Sequence, residues 1–142
     1  MRCPRIVIDT CVLVSALRSN RGASFKLIEL IGSGKFQTSV SVPLIFEYED
    51  ATRRPQHGAR LDQDEIDAIL DYICQVSDRR KIFYLWRPLL KDPKDDLMLE
   101  LAVESSTDYI VTFNLSDFAG AERFGISVIT PQQFLKTIGA IK

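Results

Sequence analysis

Short runs of β-branched and aromatic residues alternate with longer helical segments along nearly the whole chain. The runs lie at 5–9, 36–41, 81–86, 108–113 and 126–130. Several of them are largely apolar, which is typical of parallel strands that are buried on both faces. Because strands that alternate with helices usually form parallel sheets covered by helices, we expect an α/β fold. The specific prediction is a three-layer α/β/α sandwich with a mostly parallel central sheet.

Helical periodicity and turn residues delimit six helices around these runs. The strongest pattern is amphipathic, with Ile66, Ile69, Leu70 and Ile73 on one side. Three other helices begin at or beside a proline, a residue that suits the first turn. The predicted helices start near Thr10, run from Ala23 to the glycines at 32 and 34, from Pro43 to the residue before Pro55, and over 61–80, 93–105 and 131–138.

The composition is that of an ordinary globular protein. Of the 142 residues, 46% are hydrophobic and 26% are charged, and this length predicts a single domain over residues 1–142. The formal net charge is −1, which gives no overall attraction to nucleic acid or to a membrane surface. Any nucleic-acid surface must therefore come from local clusters of basic residues.

Cysteine and histidine usage argues against a zinc site. The chain has three widely spaced cysteines and one histidine, His57, which do not make a zinc ligand set. Free thiols indicate a reducing compartment. No apolar run approaches the roughly 18–20 residues of a membrane span, and the N-terminus lacks the pattern of a signal peptide. These features predict a cytoplasmic protein with no membrane contact.

Four acidic residues are expected at one edge of the sheet. Asp9 ends the first strand and Asp117 follows the fourth, while Glu47 and Asp96 lie in helices that follow the second and third strands. Ligands of open parallel sheets bind beyond the carboxyl ends of the strands. Converging carboxylates repel each other unless a cation lies between them, and an all-oxygen ligand set favours Mg²⁺ or Mn²⁺. Such sites activate water for phosphodiester hydrolysis.

Each of these acids also has a structural interpretation. Asp9 could cap the helix that follows it, and Asp117 could be a turn residue. Periodicity does not choose among Glu47, Glu49 and Asp50, which share one helical segment. These alternatives remain open at the level of the sequence.

The stretch KDPKDDLMLE, residues 91–100, places three aspartates before an apolar run. Asp92 can cap a helix whose first residue is Pro93, and Asp95 suits the positive end of the helix dipole. Asp96 has no such structural task. We therefore expect Asp96 to be the functional acid of the three.

Basic residues form three local clusters. Arg18 and Arg21 follow the first helix, Arg53 and Arg54 end the third, and 79–81 is a basic tripeptide. The first two clusters are the candidates for contact with nucleic-acid phosphates, because they could flank the acidic site. The alternative is that these cations only complement helix C-termini or lie on solvated faces.

Four acidic motifs in fixed order carry a resemblance to a known family. They are IVIDTCVLVSAL, SVPLIFEYEDATRRP, DPKDDLMLELAVESSTDYIVT and TFNLSDF, followed by ISVITPQQFL. Over almost the whole chain, the sequence resembles a PIN-domain protein, close to the bacterial group of toxins from toxin–antitoxin pairs. The order and spacing of the motifs make the resemblance more specific than any one motif.

The resemblance implies a metal-dependent endoribonuclease on a three-layer sandwich. The acids holding one or two Mg²⁺ or Mn²⁺ ions would be Asp9, Glu47, Asp96 and Asp117. The groups supporting these ligands without binding the metal would be Thr10, Thr112 and Asn114. The expected partners are an RNA substrate, a small antitoxin protein and a second copy of the chain.

Two positions depart from the family pattern. Cys11 stands where asparagine is common, and Asn114 stands where many relatives have aspartate, so Asp117 would have to supply the fourth acid. These departures motivate an alternative function. The chain could be a catalytically degenerate module that binds RNA or a partner protein.

Overall fold

The part of the chain that the structure describes contains five strands and six α-helices, together with two short 3₁₀ turns. The residues described in this computed structural model are 3–54, 61–81 and 92–142. The strands are β1 (Arg5–Ile8), β2 (Gln37–Val40), β3 (Asp78–Arg79), β4 (Tyr109–Val111) and β5 (Ser127–Ile129). The helices are α1 (Thr10–Arg18), α2 (Ala23–Glu29), α3 (Val42–Thr52), α4 (Gln63–Val76), α5 (Pro93–Glu104) and α6 (Pro131–Thr137).

All strand pairs in the described residues are parallel, in the order β3-β2-β1-β4-β5. Strand β1 is central, and its Ile6 pairs with Thr38 of β2 on one side and Tyr109 of β4 on the other. The chain first adds strands on the β2 side and then crosses to the β4 side. The direction of winding therefore reverses between β1 and β4, which is where parallel sheets bind ligands. The predicted α/β sandwich with a parallel sheet is confirmed.

The centre of the sheet is apolar on both faces. Ile6, Val7 and Ile8 of β1 and Ile110 and Val111 of β4 are each at most 4% exposed. Helix α5 packs against β1, β2 and β4, while α2 packs against α1 and α6. This double coverage explains why the two central strands read as continuous β-branched runs.

Helix α4 is shorter than the periodicity predicts. Asp62 and Glu65 form a reciprocal capping box at its start, and Ile66, Leu70 and Ile73 form the buried stripe that the pattern indicates. The helix ends at Val76, however, and the predicted continuation to residue 80 is wrong.

The chain leaves α4 to enter the sheet. Ser77 is buried, and its hydroxyl shares a hydrogen bond with Thr38 of β2. Asp78 and Arg79 then pair with β2 as strand β3. A two-residue polar strand at a sheet edge has no apolar pattern to reveal it. Residues 82–86 of the predicted strand 81–86 lie outside the described residues.

The other helix boundaries follow local turn chemistry. Ser41 caps α3 by accepting a 3.3 Å hydrogen bond from the Leu44 amide, and Thr130 forms a capping box with Gln133 at the start of α6. Helix α2 ends at Glu29, before the predicted stop at the glycines. Among the described residues, none of the helices combines the length and apolar character that a membrane-crossing segment needs.

Candidate functional site

A cleft of about 580 Å³ opens at the carboxyl ends of β1 and β4, beside the point where the winding reverses. Its volume is within the range of about 300–1,000 Å³ that is common for ligand sites. The acidic side chains that line it, in the described part of the chain, are Asp9, Glu47, Asp92, Asp95 and Asp117. Three of the four acids predicted from the sequence therefore meet in one cleft.

Asp9 lies directly after β1 and is only 6% exposed. Its backbone amide donates to the Val111 carbonyl of β4 at 2.9 Å. Its Oδ2 accepts hydrogen bonds from the Thr112 hydroxyl at 2.6 Å and from the Cys11 thiol at 3.4 Å. The Asp9 side chain makes no capping hydrogen bond to α1 within the described residues. Its carboxylate is instead held by side chains that meet at the cleft, one from the end of β4 and one from the first turn of α1.

Burial raises the pKa of the Asp9 carboxyl. The hydrogen bonds from Thr112 and Cys11 oppose this shift, because they stabilise the carboxylate, and the charge of Asp117 adds to it. The balance is still upward. A nearby cation would offset the cost of ionising this group.

Thr112 joins the ends of the two central strands. It is completely buried, and its amide donates to Ile129 of β5 at 2.9 Å while its hydroxyl holds Asp9. The same hydroxyl accepts a 3.0 Å hydrogen bond from the Asn114 amide. One side chain thereby fixes both the Asp9 carboxylate and the turn that leads to Asp117.

Cys11 is a neutral thiol in this environment. Burial, together with the charge of Asp9, raises the pKa of Cys11 to about 11. The Cys11 sulfur also lies 3.9 Å from the Asn114 side-chain amide. The two positions that depart from the expected family pattern are thus in contact with each other.

Helix α5 brings Asp95, rather than Asp96, to the wall of the cleft. Asp92 caps the helix as predicted, because its side chain accepts a 2.9 Å hydrogen bond from the Lys94 amide. Asp95 lines the cleft together with Met98, which is three residues further along the same helix face. Asp96 is buried, at 7% exposure, and is not among the described residues that line the cleft.

The Asp95 carboxyl is held in a strongly acidic neighbourhood. Burial, followed by repulsion from Asp9, raises the pKa of Asp95 to about 7. Asp92, Asp117 and Asp96 add repulsion in the same direction. The sequence did not predict Asp95 as a residue of the cleft, because its place near the helix start already had a structural explanation.

Glu47 reaches the cleft from α3. Glu49 and Asp50, its two acidic neighbours in the described part of that helix, are not among the lining residues. The Glu47 Oε1 atom lies 3.3 Å from Lys94 Nζ, so a cation of α5 already compensates this acid. The Tyr48 hydroxyl donates to the Ile8 carbonyl, which ties α3 to the end of β1 beside Asp9.

Asp117 lies in the 3₁₀ turn Leu115–Phe118, an element that the sequence did not predict. Its amide donates to the Asn114 carbonyl at 3.1 Å, so Asn114 supports the turn through its backbone. Asp117 is exposed and lines the cleft, where its charge acts on Asp9 and Asp95.

The predicted RNA-contacting arginines separate into two groups. Arg18 and Arg54 line the cleft, whereas Arg21 and Arg53 do not belong to its described lining. Arg54 pairs with Asp50, and Arg53 Nη2 lies 3.8 Å from Asp67 Oδ1. Each of the two basic clusters, Arg18 with Arg21 and Arg53 with Arg54, therefore places one arginine beside the acids.

The donor set suits a hard cation in its chemistry. Neighbouring carboxylates of the cleft add to the raised pKa of Asp9 and of Asp95. Thr10 Oγ1 is buried beside them with no hydrogen-bond partner in the described residues. A buried hydroxyl of this kind suits a water or an ion. Within the described ranges, no three His, Cys, Asp or Glu side chains already converge on a common ion position. Metal binding would thus require the carboxylates to draw closer together.

Comparison with known proteins agrees with this architecture. No curated protein matches the chain significantly. A family model described as PIN domain matches residues 5–116, a span that begins with β1 and ends one residue before Asp117. Because this match covers most of the sequence and the parallel sheet has the corresponding α/β form, the chain belongs to the PIN-domain family.

Proposed function

We propose that this protein is a metal-dependent endoribonuclease whose active site is the acidic cleft. PIN domains are generally nucleases that act on RNA, and membership of this family supports hydrolysis of phosphodiester bonds as the reaction. The observation that carries the proposal is the meeting of Asp9, Glu47, Asp95 and Asp117 at the point where the sheet winding reverses. These acids come from four separate chain segments.

The proposed metal ligands are carboxylates of the cleft, with Mg²⁺ or Mn²⁺ as the ion. Asp9, Asp95 and Asp117 would hold it, and Glu47 would join them once its pairing with Lys94 is exchanged. Asp96, the acid expected from the sequence, would support them from the neighbouring position on α5. A bound divalent ion would supply activation of water and stabilisation of charge on the phosphate.

The remaining side chains of the cleft would prepare this site. Thr112 and Cys11 donate to one oxygen of Asp9 and so fix the orientation of its carboxylate. Thr10 offers a hydroxyl without another partner in the described residues. Arg18 and Arg54 line the same cleft, where they would attract the RNA backbone that the acids alone would repel.

The cellular role follows the resemblance noted in the sequence. As the toxin of a toxin–antitoxin pair, the protein would act in the cytoplasm, bind a small antitoxin protein and form a homodimer. Detection of an antitoxin encoded next to this chain would test that part of the proposal separately from the chemistry.

A second candidate function is a degenerate module that binds RNA or a protein without cleaving. The contact between Cys11 and Asn114 favours it, because both residues replace common family side chains at the site. In the described ranges, no three His, Cys, Asp or Glu side chains are close enough to bind one metal ion, which also favours the degenerate module.

A cleavage assay distinguishes the two functions. Purified protein is incubated with a varied panel of single-stranded RNAs and Mn²⁺ or Mg²⁺, with chelator as the control. We expect metal-dependent cleavage that Asp9→Asn abolishes and Asp64→Asn, a change on the exposed surface of α4, leaves intact. Metal binding by calorimetry without cleavage of any RNA would support the degenerate module instead.

A further inference from the structure

Phe113 is a large aromatic side chain on the wall of the acidic cleft. It follows β4 directly, yet it is 48% exposed, whereas Val111 and Thr112 just before it are completely buried. Burying such a ring typically contributes about 1.5–3 kcal/mol. The end of the strand therefore presents an apolar face to the cleft instead of the core.

The backbone beneath this ring is firmly held. The Thr112 amide donates to Ile129 and the Asn114 amide donates to Thr112 Oγ1, so both neighbours of Phe113 are fixed. The Phe113 backbone itself hydrogen-bonds the Cys11 side chain. A ring on a fixed backbone loses little freedom on contact with a ligand, which favours binding.

The surroundings of the ring combine apolar and charged groups. Val14, Ala51 and Met98 line the same cleft, as do Arg18 and the carboxylates. A nucleotide matches this combination, because its base is a flat apolar surface and its phosphate is an anion. An apolar protein surface matches it less well, since it would remove the carboxylates from water without compensation.

We propose that Phe113 is the platform on which a base of single-stranded RNA stacks beside the scissile phosphate. This inference rests on the proposed function and adds the way in which the substrate is held. Aromatic side chains commonly bind unpaired bases in this way, with little preference among the bases. Bases inside a duplex are already stacked and are not available to the ring.

The test measures RNA binding separately from cleavage. Fluorescence anisotropy is recorded with labelled single-stranded RNA in Ca²⁺ buffer, and the RNA is checked afterwards to be intact. Phe113→Ala and Phe113→Leu should weaken binding by about 5- to 100-fold, and Phe113→Trp should retain it. The matched control is Phe46→Leu, which alters another exposed phenylalanine, 63% exposed, outside the described cleft lining.

A series of RNAs that each lack one base locates the stacked nucleotide. Removal of one particular base should weaken binding to the unsubstituted protein and should have no effect on Phe113→Leu. Duplex RNA of the same sequence should bind both proteins equally. If Phe113→Leu keeps the affinity and the base dependence of the unsubstituted protein, the stacking role is overturned.

The outcomes separate this inference from the proposed function. Cleavage that is unaffected by Phe113→Leu, with unchanged RNA affinity, overturns stacking and leaves the ribonuclease intact. Base-dependent binding that needs Phe113, without cleavage under any metal, overturns the ribonuclease and leaves stacking. Failure to bind RNA at all overturns both. A change in self-association by Phe113→Leu, with no change in RNA binding, assigns the ring to a protein contact and also overturns stacking.

Discussion

The Thr112 hydroxyl donates a 2.6 Å hydrogen bond to Asp9 Oδ2, although the two residues are 103 positions apart in the sequence. Each directly follows a central strand, and the β1–β4 pairing sets them side by side. The parallel sheet thereby creates the site, because strands that are distant in sequence end at the same edge. The buried carboxylate, its donor and the turn that carries Asp117 form one connected unit.

Removing the Thr112 hydroxyl should weaken both the fold and the site. Thr112→Val keeps the shape of the side chain but leaves the buried Asp9 without its shortest hydrogen bond. We expect a loss of about 1–3 kcal/mol in the free energy of unfolding, measured with urea, and reduced metal-dependent cleavage. Thr112→Ser retains the hydroxyl and should remain close to the unsubstituted protein. Equal behaviour of the two variants would show that the hydrogen bond does not matter.

The two adjacent aspartates of α5 should differ in function. Asp95 lines the cleft and Asp96 is buried beside it. Asp95→Asn should abolish cleavage and weaken Mn²⁺ binding by calorimetry, while Asp96→Asn should retain more of both. If Asp96→Asn instead loses more cleavage and more Mn²⁺ affinity than Asp95→Asn, the metal ligand is Asp96, the acid favoured by the sequence.

The choice between these two acids shows where sequence reasoning stops. Alternating strands and helices predicted the parallel sheet, because buried central strands have an unmistakable β-branched composition. Helix α5 gives no such guidance, since Met98, Leu99, Leu101 and Ala102 are all at most 2% exposed. The acids Asp96 and Glu100 of the same helix are buried as well, so apolar and acidic residues do not separate onto two faces and periodicity cannot reveal which acid faces the cleft.

Other features of the structure could not be predicted from the sequence for related physical reasons. Strand β3 consists of Asp78 and Arg79, and its pairing with β2 depends on tertiary contact rather than on its own composition. The choice among Glu47, Glu49 and Asp50 depends on which side of α3 faces α5. The proposed role of Phe113 depends on its exposure at the end of β4, which the composition of the chain does not indicate.

The stability of the metal-free protein should decrease as the pH rises. The pKa of Asp95 in the folded protein is about 7, above its ordinary value of 3.8, so folding favours the protonated form. This contribution is fully present below about pH 4 and is lost as the pH rises through 7. The Asp9 carboxyl, whose pKa is also raised, acts in the same direction.

Urea unfolding in chelator between pH 4 and 8 measures this dependence. Asp95→Asn should show a flatter profile than the unsubstituted protein and should be the more stable of the two at pH 8. Asp64→Asn, which changes an acid on the surface of α4, serves as the control. Parallel profiles for the unsubstituted protein and Asp95→Asn would contradict the raised pKa.

The contribution of Asp92 to stability as a helix cap should be separable from the effect of its negative charge. Asp92→Ala removes the side chain that accepts from the Lys94 amide, and should cost about 0.5–2 kcal/mol in the free energy of unfolding. Asp92→Ser removes the same negative charge but keeps a capping oxygen, and should recover most of that stability. Thermal and urea unfolding compare the pair directly. If serine is no better than alanine, the capping hydrogen bond does not stabilise α5.

The arginines should differ according to their position relative to the cleft. Arg18 and Arg54 line it, while their sequence neighbours Arg21 and Arg53 lie outside its described lining. If Arg18 and Arg54 contact phosphates, replacing either with glutamine should weaken RNA binding irrespective of the RNA sequence. The slope of log affinity against log salt concentration should then fall in magnitude by about 0.7.

Arg21→Gln and Arg53→Gln are the matched controls and should leave this slope unchanged. The affinity for Mn²⁺ should be similar in all four variants, because the carboxylates remain. Equal slopes for the cleft and control variants would assign these arginines to helix ends and surface ion pairs rather than to RNA.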